Sequence, residues 1–73
     1  MEKISQYLIE NHVRVRTCEL PPSVRGFCCH DKNGQEYIYI NQNLTKEAQL
    51  KTLRHEGLHL IRGEMYDGDY NEY

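Results

Sequence analysis

Apolar residues recur with two different periods along this chain. Between residues 2 and 11, Ile4, Tyr7 and Leu8 stand three and four apart on one side of a helical turn, which predicts a short helix able to cover a sheet. From Val13 to Glu19 the period drops to two. Val13, Val15 and Thr17 alternate with Arg14 and Arg16 until Pro21-Pro22 ends the run, which predicts a strand. The runs Val24 to His30 and Gln35 to Asn41 flank Asp31-Lys32-Asn33-Gly34, where Asn-Gly supplies the positive backbone angles of a tight connection, so they predict a hairpin. In its second strand Ile38 and Ile40 are expected to face the core, with Tyr37 and Tyr39 covering the opposite side of the sheet. Arg14 and Arg16 read as solubilising charge on a strand's solvent face.

The longest period belongs to the stretch after Leu44. Thr45 is a good helix cap, Lys46 to Arg62 contains no proline, and Gly63 is a natural stop. Ala48, Leu50, Leu53, Gly57, Leu58, Leu60 and Ile61 supply the expected buried face, which makes this helix the centre of the fold. Residues 63–73 form an acidic, tyrosine-rich tail. The pattern predicts an α+β architecture: an N-terminal helix, a sheet of about three strands with a hairpin, and a central helix. At 73 residues one domain is expected to span 1–73, near the size at which a metal or an oligomer interface helps a small core.

Composition narrows the function. The formal charge of −2 gives no basic excess with which to neutralise phosphates, so direct nucleic-acid binding is not expected. No apolar run approaches the roughly 20 residues that span a bilayer. Three cysteines, Cys18, Cys28 and Cys29, are an odd number without the spacing of a disulfide framework, and no signal-like segment precedes them, which points to a reduced, cytoplasmic protein. Adjacent Cys28 and Cys29 on a strand point to opposite faces, so they and His30 are expected to be structural, as is Cys18; His12 and His30 lack ligand spacing.

The chemistry concentrates in His55-Glu56-Gly57-Leu58-His59, two histidines flanking a glutamate in the HExxH spacing. Residues four apart on a helix project from nearly one face, so both imidazoles can reach one tetrahedral zinc at about 2.0–2.1 Å. Glu56 is turned about 100° from His55, placed to act as general base without being a ligand. Random placement of four histidines and eight glutamates would give this spacing in roughly 2% of such chains, too rarely for chance to be the main rival.

Together with Leu20-Pro21, Arg25-Gly26-Phe27, Tyr37-Ile38-Tyr39-Ile40-Asn41 and Asn43-Leu44-Thr45, this motif resembles the ImmA/IrrE family of metallopeptidase-like proteins, common in phages and mobile elements. The resemblance implies a minimal zincin, one zinc ion, a protein or peptide substrate and, in some members, cleavage of a phage-type, DNA-binding repressor. It also implies a third ligand, typically a glutamate on a helix after the motif, in chains usually longer than this one; Gly57 stands where a larger residue is common. The carboxylates after the motif are Glu64, Asp67, Asp69 and Glu72. Glu64 follows His59 too closely, rotated about 140° from it on a helix, so Glu72 ranks first and Asp69 second. A substrate is expected to add as an extended strand beside Gln35 to Asn41. The alternative to a zinc-dependent endopeptidase is a non-catalytic, zinc-stabilised interaction module with an incomplete site.

Overall fold

The alternation that begins near Val13 is realised in three strands, β1 (Arg14–Cys18), β2 (Gly26–His30) and β3 (Glu36–Asn41), preceded by helix α1 (Glu2–Glu10) and followed by helix α2 (Lys46–Arg62). The computed structural model describes residues 2–63. They form a small α+β fold in which one face of a mixed sheet is covered by helices. Each boundary falls within two residues of its sequence expectation.

Strand order is β1-β3-β2, with β3 parallel to β1 and antiparallel to β2. Being central, β3 has its backbone hydrogen-bonding groups committed on both sides, and this overturns the expectation that a substrate strand pairs beside Gln35 to Asn41. Among the described residues the edges of the sheet are β1 and β2.

The hairpin turn uses one positive angle rather than two. Gly34 takes φ 85° while Asn33 stays negative, the pattern of a three-residue loop closed by a left-handed glycine. The Asp31 carboxylate accepts from the backbone N–H of Asn33 at 2.9 Å and of Gln35 at 3.0 Å, which fixes that loop. At the other end of β3, buried Asn41 organises the passage from β1 across to β2. Its Nδ2 donates to the carbonyls of Leu20, Pro21 and Val24 at 3.2, 3.3 and 3.0 Å, and its Oδ1 accepts from the N–H of Asn43 at 3.0 Å. A segment carrying two prolines is poor in donors, and the amide supplies them.

Helix α1 ends with His12 in the left-handed region, φ 53°. The N–H of Val13 reaches Leu8 O at 2.9 Å and that of His12 reaches Ile9 O at 3.2 Å, the paired bonds of a Schellman stop. Helix α2 begins as expected at Thr45, whose Oγ1 accepts from the N–H of Ala48 at 3.1 Å. It ends at left-handed Gly63, φ 74°.

The central core cluster is Cys28, Ile38, Ile40 and Leu60, with Tyr7, Leu8, Val13, Leu44 and Leu53 packed around it, and Ile4 and Val24 are buried as well. The buried face of α2 differs from expectation. Thr52, Glu56, Gly57 and Leu60 are buried, whereas Leu50, Leu58 and Ile61 are 57%, 38% and 41% exposed. The stripe of Thr52, Glu56 and Leu60, each one turn apart, lies directly over the sheet, and a nine-residue α1 is too short to cover the flanking leucines and isoleucine. Two glycines set how closely the layers approach. A Cβ on Gly57 would lie 2.5 Å from Ile4 Cγ2 of α1, and one on Gly26 would lie 2.8 Å from Thr52 Cγ2 and 2.5 Å from the Tyr39 carbonyl oxygen. Gly57 is the point at which α1 meets α2. No helix among the described residues is long and apolar enough to cross a membrane.

Candidate metal centre

The position of the motif follows from how α2 lies on the sheet. Thr52 is wholly buried, its Oγ1 donating to the Ala48 carbonyl at 2.9 Å, and its methyl packs at Gly26. One turn later Glu56 must therefore also face the sheet, and it is 0% exposed with both carboxylate oxygens sealed from solvent. On a helix at about 100° per residue, Gly57 turns toward α1, while His55 and His59 turn about 100° and 60° the other way. Leu50 and Leu53 share the Gly57 side and line a groove with Val15 and Thr17 of β1. Because β1 and β2 are opposite edges of the sheet, the histidines lie on the β2 side.

There the two imidazoles meet edge to face, with ring centroids 4.6 Å apart and planes at 87°. Their Nε2 atoms are 3.1 Å apart. Two nitrogens 2.0–2.1 Å from one tetrahedral ion would be about 3.3 Å apart, so the pair needs to open by only a few tenths of an ångström to receive one. One ligand atom from each of His55, Glu56 and His59 falls within 4.8 Å of the others, and the group could hold a metal ion. Both histidines are half-buried, which limits their rotamers while leaving an approach from solvent. A shallow depression of about 250 Å³ beside His55 is lined by Lys51, Arg54 and Leu58.

The remaining sequence candidates are not brought here. Glu72, Asp69, Asp67 and Glu64 lie outside the described residues. His12 and His30 are exposed, at the end of α1 and of β2. Cys28 is in the core while Cys29 points to the opposite face, as adjacent strand residues must, and no cysteine joins a ligand cluster among the described residues. Sequence reasoning missed Thr52 and Gly26, which seat the motif. The signal was present in the spacing: Thr52, Glu56 and Leu60 form a stripe at intervals of four, and a glycine opposite a β-branched residue marks close approach. Compared with protein-family models, curated proteins and solved structures, the chain gives no significant match.

Proposed function

We propose that His55 and His59 bind zinc through Nε2 and that the chain is a zinc-dependent endopeptidase of minimal zincin type. The observation that carries this reading is the 3.1 Å separation of the two Nε2 atoms, close to the spacing a tetrahedral ion requires, on a capped helix that also carries Glu56. Two imidazoles and a carboxylate make a donor set suited to zinc. The helix lying beside a short sheet agrees with what the ImmA/IrrE resemblance implies, and Glu72 remains the first choice for the third ligand.

When bound, zinc supplies Lewis-acid polarisation of a carbonyl and makes water a competent nucleophile near neutral pH. The chain's own residues do the rest. Glu56 takes a proton from the attacking water at a carboxylate oxygen and delivers it to the leaving amine as the C–N bond breaks. A substrate strand would pair along the outer edge of β2, on the histidine side of α2, since β3 offers no free edge. By the family resemblance, a phage-type repressor is the proposed substrate.

One observation favours a second reading. Glu56 is fully enclosed, as expected if the motif is a structural zinc clip in a non-catalytic interaction module. Glu56→Gln separates the two. Under the peptidase reading, a quenched-fluorescence peptide library is cleaved by the zinc-loaded parent, and the variant keeps its zinc while losing at least a hundredfold in rate. No cleavage by zinc-loaded parent, or equal cleavage by the variant, would sink the catalytic reading and leave the module.

A further inference from the structure

The sheet has a second face that no helix among the described residues covers. Register places Arg16, Tyr39 and Phe27 on one rung across β1, β3 and β2, and Arg14, Tyr37 and Cys29 on the next. Alternation puts all six on the side opposite Ile38, Ile40 and Cys28. Phe27 and Tyr39 stack with centroids 5.1 Å apart at 28°, and Tyr37 and Tyr39 with centroids 6.0 Å apart at 19°, so three rings form a continuous array. Arg14 and Arg16 are exposed, and neither side chain makes a hydrogen bond or ion pair among the described residues. Along the three strands no carboxylate falls on this face; Glu36 points to the helical side, where it accepts from the Tyr7 hydroxyl at 3.2 Å.

At the Arg14 and Tyr37 end the face runs into a polar cleft of about 500 Å³, lined also by Asn11, His12, Asn33 and Gln35. Asp31, the one carboxylate lining it among the described residues, accepts through Oδ1 from the backbone N–H groups of Asn33 and Gln35 and through Oδ2 from the Tyr37 hydroxyl at 3.4 Å. The whole-chain charge of −2 is an average over two unlike parts. All nine Lys and Arg lie in residues 1–63 with seven of the eleven Asp and Glu, a formal +2, and the other four acids lie in 64–73.

We propose that this open face binds single-stranded nucleic acid, with the arginines on phosphates, Tyr37, Tyr39 and Phe27 against bases, and the amide-lined cleft around one nucleotide. Interleaved aromatic and basic residues on an exposed sheet are the chemistry of such binding. An acidic peptide would use only the two arginines and leave the ring array without a role. The inference stands apart from the metal reading, since none of these residues belongs to the His55 group.

The test is fluorescence anisotropy of labelled 12-mers, oligo-rU and oligo-dT, titrated with the full chain over a range of salt. Saturable binding that weakens with salt is expected. The R14E/R16E double variant should bind at least tenfold more weakly and lower the magnitude of the log–log salt slope by about 1.4, at roughly 0.7 per phosphate contact. Tyr39→Ala should weaken binding by about tenfold with the salt slope unchanged. A preference for rU or for dT would assign RNA or DNA. Absence of saturable binding, or binding indifferent to these variants, would overturn the proposal. So would displacement by poly-glutamate together with no effect of Tyr39→Ala, which would make the face a site for acidic proteins.

Discussion

The two flanks of α2 are built on opposite principles. On one, Gly57 meets Ile4 so closely that even a methyl group has no room. On the other, His55 and His59 stand half-buried with their Nε2 atoms facing each other. The flanks belong to one helix, so the tight contact on the first dictates where the second points. Six buried apolar side chains among the described residues make a small core, and a metal joining His55 to His59 would reinforce the flank of the helix away from α1.

The largest effect is expected at Gly57. Gly57→Val should push α1 off α2 and destabilise the fold by about 1–3 kcal/mol, read from urea unfolding; a variant as stable as the parent would mean that α1 does not fix the helix. Thr45→Ala removes the acceptor for the Ala48 N–H and is expected to cost about 1 kcal/mol by the same measurement, with both flanks weakened together.

A smaller effect appears in alkali, on the α1 side alone. Burial, then the negative charge of Glu36 and the hydrogen bond to it, hold the Tyr7 phenol above its ordinary 10.0. The folded state therefore disfavours the phenolate. This contribution is intact below pH 10 and is lost as pH rises through the folded pKa. Thermal melts of parent and Tyr7→Phe should show a shallower alkaline loss in the variant; parallel curves would remove Tyr7 from the account. Least affected should be metal-free His55→Ala, within about 0.5 kcal/mol of parent, because His55 is only half-buried and lies outside the core cluster. Zinc at 100 times its Kd should then raise the parent's stability by about 2.7 kcal/mol and leave this variant unchanged.

What could be read from residues alone was local. Thr45 and Gly63 bracket α2 because a side-chain acceptor and a left-handed glycine are short-range requirements, and Asp31 to Gly34 closes its hairpin for the same reason. HExxH was legible because helical spacing alone brings its histidines together. The insertion of β3 between β1 and β2 was not, since pairing order depends on contacts such as Asn41 with Leu20, Pro21 and Val24, far apart in sequence. Nor was the burial of Thr52 and Glu56 in preference to Leu50, Leu58 and Ile61. Hydrophobicity favours the latter, but the close approach at Gly26 and Gly57 rotates the helix away from them.

The central claim, a zinc site on the open flank of α2, is tested most directly by elemental analysis of zinc per chain, on tag-free protein and on His59→Ala after exhaustive dialysis. About one zinc is expected in the parent and none in the variant. A folded parent that takes up no zinc even when zinc is supplied would contradict that claim.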